Sequence, residues 1–182
     1  SVEDDINLIN VRTNSSNIDI FMAAKTTAAG IEKEIIDNNT VLITAKENNS
    51  YVIEKVVSIY TSKDEGVGDA RTEAKDALFQ AGSFDELLVG HKAAWERLWA
   101  VSDMLIDGDR FCQKTIRLHI YHLLVAASLH NTKIDAGMTA RGLHGEAYRG
   151  HVFWDELYIL PFYNLHFPEI SKSLLMYRYR RL

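Results

Sequence analysis

The chain has 182 residues, 47% of them hydrophobic and 25% charged, with a formal net charge of −5. This is the composition of a globular protein of one domain or two small ones, long enough to bury a core without disulfide or metal staples. A pI near 5.8 gives no general attraction for nucleic acid or for anionic membranes, and neither is expected as a partner.

The first residues, Ser1-Val2-Glu3-Asp4-Asp5, are acidic and lack the apolar core of a secretion signal. The longest apolar stretch, around 120–129, is too short to cross a bilayer and is broken by His122. A cytoplasmic location is therefore expected. Asn-x-Ser/Thr triplets at Asn14, Asn38 and Asn48 would matter only in a secreted protein. Up to about residue 62 the chain reads as strands, at 18–22, 41–45 and 51–60, the last rich in β-branched residues. Asn38-Asn39 and Asn48-Asn49-Ser50 read as turns, and the second predicts an antiparallel hairpin between the last two strands. Four strands at most are visible, few for a closed sandwich, so residues 1–62 read as part of a β-sandwich.

Residues 63–68 are a polar, glycine-containing break, after which the period becomes helical. Residues 69–80 carry helix formers. Ser83 followed by Glu86 is a capping box. It opens a helix with Leu87, Leu88, His91, Trp95 and Leu98 on one face, ending near Ser102. Asp107-Gly108-Asp109 makes a turn and caps the next helix, about 110–130. Ile116, Ile120, Leu123, Leu124 and Ala127 form one apolar stripe of that helix, and Leu118, Tyr121, Val125 and Leu129 a second. A helix apolar on two sides is expected to be buried on both, as an inner helix of a barrel would be. Residues 133–150 lack apolar periodicity and hold four glycines, the mark of a functional loop. A last helix, 169–182, follows Pro168. No capping glycine follows its basic end, Arg178 to Arg181, which reads as a solvated face, and the chain is expected to be a piece of a longer protein.

The single cysteine, Cys112, forms no intramolecular disulfide and builds no cysteine-based metal site, and a buried thiol is expected. His119 and His122 lie three apart on a helix without a third ligand in register, so ordinary histidines and no metal are expected. Asp107-Gly108-Asp109 lacks the further ligands of a calcium loop. The segment from Gly142 to Asp155 holds Glu146, Tyr148, Arg149, His151, Phe153, Trp154 and Asp155 between glycines. Sugars are bound by such mixtures: an aromatic face covers the C–H side of a pyranose, carboxylates accept from its hydroxyls, and glycines let the backbone approach. Composition alone leaves equally open a structural loop with Trp154 in the core and its charges in ion pairs. Glu146, Asp155 and Glu156 are the carboxylates that a glycosidase pair would draw on, although adjacent Asp155 and Glu156 point different ways.

The run from Gly142 to Asp155, followed by Glu156-Leu157 and Leu160-Pro161-Phe162, resembles the signature of glycoside hydrolase family 65, which includes maltose, trehalose and kojibiose phosphorylases. So do His91-Lys92-Ala93-Ala94-Trp95-Glu96-Arg97-Leu98-Trp99, Gly108-Asp109, Gln113 with Ile116-Arg117, and His122-Leu123-Leu124. The resemblance is continuous from about 85 to 182. It implies an α+β chain: strands 1–62 from the end of an N-terminal β-sandwich, a helical linker 63–100, and 101–182 beginning an (α/α)6 catalytic barrel. It also implies that Trp154 and Asp155 hold the glucose at the cleaved bond, with Arg149, His151, Phe153 and Glu146 as neighbours. The family's general-acid glutamate and phosphate-binding residues lie downstream of this motif and match no position here. The implied reaction is inverting phosphorolysis or hydrolysis of an α-linked glucose disaccharide, with no cofactor, inorganic phosphate as the co-substrate of a phosphorylase, and a homodimer as the full-length form. The alternative is a non-catalytic sugar-binding or scaffold module. The chain has Asp155-Glu156-Leu157 where the family often has Asp-Thr-Glu.

Overall fold

The computed structural model describes residues 2–3, 5–37, 40–47, 49–140, 142 and 148–182, with side chains at all of these except Val2, Glu3 and Arg149. The expected turns at Asn38-Asn39 and at Asn48 fall wholly or partly outside the described residues. The chain forms two compact units, 1–92 and 93–182.

The first unit holds strands β1 (Val2–Glu3), β2 (Ile6–Arg12), β3 (Asp19–Ala28), β4 (Glu32–Ile35), β5 (Val41–Thr44) and β6 (Ile53–Thr61), then helix α1 (Ala70–Gln80). Strands β1-β2-β3-β6 make an antiparallel sheet, and β4-β5 a separate pair. The registers Leu8↔Ala23, Ala23↔Ser58 and Phe21↔Tyr60 put Ile6, Leu8, Phe21, Ala23, Val56 and Tyr60 on one face, because strand side chains alternate. Ala74 and Leu78 of α1 pack on that face and close the unit's core. The Asp69 side chain caps α1 by accepting from the Arg71 and Thr72 amides. Two cross-links tie the β4–β5 pair to the larger sheet. Asn7 Nδ2 donates to the Asp37 carbonyl (2.8 Å), and Lys33 Nζ donates to the Thr26 carbonyl (2.9 Å).

Two strand expectations change. Six strands are present where four at most were expected, since β2 and β4 are interrupted by Asn7, Asn10, Lys33 and Glu34 and show no apolar run. The hairpin expected between 41–45 and 51–60 does not form. Strand β5 pairs back to β4, closed by Ile36 N donating to the Thr40 carbonyl (3.0 Å). Strand β6 instead runs along β3 from Ile20↔Thr61 to Ala28↔Ile53. The ten-residue β3 offers β6 far more ladder than the four-residue β5 does.

The unit boundary falls inside α2 (Phe84–Ser102). This helix opens with the capping box: Ser83 N donates to Glu86 Oε2 (2.8 Å) and Glu86 N to Ser83 Oγ (3.4 Å). It ends at Ser102, as the periodicity predicts. Helix α3 (Arg110–Ala126) is capped by Asp109, whose carboxylate accepts from the Phe111 (2.9 Å) and Cys112 (3.0 Å) amides. Gln113 and Arg117 brace the preceding connection. Gln113 accepts from Ile106 N (2.7 Å) and donates to the Met104 carbonyl (2.9 Å). Arg117 forks onto the Asp103 carboxylate at 2.9 and 2.6 Å.

Helices α4 (Glu156–His166) and α5 (Pro168–Tyr179) meet at the single residue Phe167, whose N–H still bonds the Tyr163 carbonyl (2.8 Å). Pro168 suits the first position of α5, where no amide hydrogen is needed. Ile120, Leu124 and Ala127 of α3 pack with Met138, Tyr163, Phe167, Ile170 and Leu174, flanked by Trp95, Leu98 and Trp99 of α2. The wholly buried Tyr163 turns its hydroxyl to the Leu123 carbonyl (2.7 Å).

Three expectations are corrected in this unit. The second stripe of α3, Leu118, Tyr121, Val125 and Leu129, is 39–53% exposed. Only one side of the helix is covered among the described residues. Cys112 is exposed, not buried, because the Asp109 cap places it on the outer side of the first turn. Helix α4 lay hidden in the sequence, since Pro161 reads as a breaker. Among the described residues, no helix is long and apolar enough to cross a membrane.

Candidate sugar site

The candidate residues lie on the path into α4. Tyr148 begins a single 3-10 turn, Tyr148–Gly150, at φ 55°, and Gly150 follows at φ 74°. A bulky residue in the left-handed region is strained, and such strain gathers at functional loops. The turn is held by His151, whose N–H donates to the Tyr148 carbonyl (2.9 Å). His151 Nδ1 lies 2.5 Å from the same oxygen. A carbonyl only accepts, so Nδ1 carries the proton and Nε2 is left for another partner. The His151 carbonyl takes the Ala140 amide (3.0 Å), which joins this segment to the glycine-rich loop.

Phe153 organises the aromatics. Its ring stacks on His151 with centroids 5.7 Å apart and meets Tyr148 edge-on at 5.4 Å. Trp154 comes next and is 66% exposed, with the Tyr158 ring edge-on at 5.7 Å. The structure thus decides against Trp154 in the core. Asp155 is half-buried at the start of α4. Its carboxylate makes no capping bond and has no partner among the described residues, while its carbonyl accepts from Tyr158 N (3.0 Å). A helix start favours an anionic side chain, and a carboxylate unused by its own helix keeps its lone pairs for a ligand.

The adjacent Glu156 is different. It is 6% exposed, and its Oε2 accepts from Arg178 Nε at 2.7 Å. As expected for neighbours, the two carboxylates face different surroundings and form no catalytic pair. The basic end of α5 is not the solvated face that the sequence suggested: Arg178 binds Glu156, and Arg180 and Arg181 both bind Asp135, at 2.8 and 3.1 Å. These bonds, that from Arg180 foremost, hold the Asp135 carboxyl below the usual range. No spacing in the sequence announces contacts across 22 or 45 residues.

An open hollow of about 460 Å³ lies among Gly150, His151, Val152, Tyr177, Arg178 and Arg181. Gly137 permits its wall, since a Cβ there would stand 2.6 Å from the Tyr177 ring and 2.8 Å from Val152. His151 lines the hollow; Trp154, Asp155 and Phe153 do not. Of the other candidates, Glu146 and the Arg149 side chain lie outside the described residues. Among the described residues, no group of three or more histidine, cysteine or acidic side chains is placed to hold a metal, and His119 and His122 belong to none.

Comparison with known proteins gives a consistent picture. The model for the glycosyl hydrolase family 65 N-terminal domain matches residues 2–98, and that for the family's central catalytic domain matches 117–182. A kojibiose phosphorylase of Thermoanaerobacter brockii is 40% identical over 75% of this chain and 18% of its own length. A trehalose 6-phosphate phosphorylase of Lactococcus lactis is 34% identical over 96% of the chain and 24% of its own length. In structure, a putative kojibiose phosphorylase from the human microbiome superposes with a TM-score of 0.74 at 27% identity, covering 99% of this chain and 25% of that one. The chain therefore spans a quarter or less of each of these relatives.

Proposed function

We propose, from the premise that this chain belongs to glycosyl hydrolase family 65, that it serves within a longer enzyme that cleaves α-glucosidic disaccharides by inverting phosphorolysis or hydrolysis. Its part is to hold the glucosyl unit. Residues 1–62 finish a β-sandwich, 63–100 link, and 101–182 open the (α/α)6 barrel. The observation that carries the reading is the pairing of a solvent-facing indole, Trp154, with an uncommitted carboxylate, Asp155, on consecutive residues. An indole gives a pyranose its apolar wall, and a carboxylate accepts its hydroxyl hydrogens. His151, Phe153 and Tyr148 support the wall. The acid that protonates the leaving oxygen comes from elsewhere in the longer protein, and phosphate or water attacks from the opposite face.

The experiment is a product screen. Full-length protein is given trehalose, maltose, kojibiose and nigerose, each with and without phosphate. Phosphate-dependent glucose 1-phosphate, or free glucose by hydrolysis, is expected from at least one, and neither from the 182 residues alone. Binding without turnover by the full-length protein would make it a sugar-binding module instead.

A further inference from the structure

The Trp154–Asp155 pair is bracketed by one side chain. Arg178, in the last turn of α5, sends Nε to Glu156 Oε2 (2.7 Å) and Nη2 to the Phe153 carbonyl (2.5 Å). Phe153 immediately precedes the pair and Glu156 immediately follows it. A guanidinium is a rigid planar fork, so its two acceptors are held at a set separation. The two residues between them are therefore tied to α5 at both ends.

We infer that Arg178 is the positioning residue of this site: it fixes the direction in which Trp154 and Asp155 face the glucosyl ring. The inference rests on the sugar-holding role proposed above. Two features set this contact apart from ordinary core packing. The Arg178 side chain is 44% exposed, so it fills little interior space. Glu156 is nonetheless almost wholly buried, and its Oε1 has no hydrogen-bond partner among the described residues. A buried carboxylate with one oxygen unsatisfied is a costly way to stabilise a fold. It is a sound way to pin a backbone segment, since the only charge within its reach is the fork that also grips Phe153. Arg180 and Arg181 are spent on Asp135 and do not duplicate the bracket. Lysine would keep the charge for Glu156 but, as a single ammonium, would not reproduce the fork.

The test uses full-length protein and four variants: R178K, R178A, W154A and D155N. R178K is expected to keep its melting temperature within a few degrees. Its kcat/KM on the disaccharide is expected to fall roughly 10- to 100-fold, mostly in kcat, the signature of a misaimed site. Guanidinium ion at millimolar concentration is expected to restore part of the activity of R178A and none of that of D155N. Full kcat/KM in R178K, or a loss in R178A that only tracks its folded fraction and resists guanidinium, would overturn the inference. If W154A and D155N retain full activity, the sugar-holding role itself fails, whatever Arg178 does.

Discussion

Replacing Trp154 by alanine separates a ligand-facing aromatic from a core one. The residue is 66% exposed, so about a third of its surface is covered. For a residue of about 250 Å², that is roughly 85 Å², or about 2 kcal/mol at 25 cal/mol per Å². Alanine keeps the backbone and Cβ share, and a compact unfolded chain already hides part of the rest, which leaves about 1 kcal/mol. The wholly buried Tyr163 supplies the internal standard, since truncating it to alanine is expected to cost about 3–5 kcal/mol. Urea unfolding followed by circular dichroism measures both. Turnover should invert the order of severity, with Trp154→Ala losing at least about 2 kcal/mol of transition-state stabilisation, roughly 30-fold in kcat/KM, as a central aromatic contact does. A loss of 3 kcal/mol or more in folding stability from Trp154→Ala, or unchanged turnover, would refute the reasoning.

Other outcomes follow from the same geometry. Cys112 is the only cysteine and is exposed, but the side-chain hydrogen bond with Asp109 raises its thiol pKa above the ordinary value. Iodoacetamide at pH 7.5 is expected to label it fully but slowly, and D109N to speed the labelling. The Asp109 carboxyl is itself held below its usual range, first by the Cys112 backbone N–H. Its cap on α3 is therefore complete above the unfolded carboxyl pKa and lost as pH falls through the lower folded value. D109N is expected to flatten that acid loss of helical ellipticity between about pH 4 and 2. Gly137→Ala would drive a Cβ into the Tyr177 ring and Val152. It is expected to cost about 1–3 kcal/mol in urea unfolding, by overpacking.

What was legible in the sequence was local. Ser83 with Glu86, and Asp109 two and three residues before the amides it caps, are motifs whose partners sit within one turn, and both appear as read. The ends of α2 followed from its period. Strand pairing was not legible in the same way: β6 had two candidate partners, and the choice of β3 depended on length and on a face completed by α1. Helix α4 was missed because Pro161 is judged by local rules, while Tyr163 and Phe167, which anchor the helix in the core, act across the fold. In the site, the exposed Trp154 beside Asp155 matched the sugar reading. The Glu156–Arg178 bracket had no signal, since its two halves lie on different helices.

Exposed apolar side chains are not all of one kind here, and one comparison sorts them. Leu118, Tyr121, Val125 and Leu129 recur at helical spacing along α3, which is the pattern of a packing surface. Trp154 could be read the same way, because Leu157, Tyr158 and Leu165 of α4 are 71–77% exposed and follow it at similar intervals. If Trp154 merely heads such a stripe, Tyr158→Ala should resemble Trp154→Ala in every assay and Asp155→Asn should be silent. If Trp154 and Asp155 form one sugar site, Asp155→Asn should reduce kcat/KM about as far as Trp154→Ala does, roughly 10- to 100-fold, because a hydroxyl loses its charged acceptor. Folding stability should stay within about 0.5 kcal/mol, since the Asp155 side chain caps no amide. Tyr158→Ala, which removes only an edge-on neighbour of the indole, should then fall well short of both.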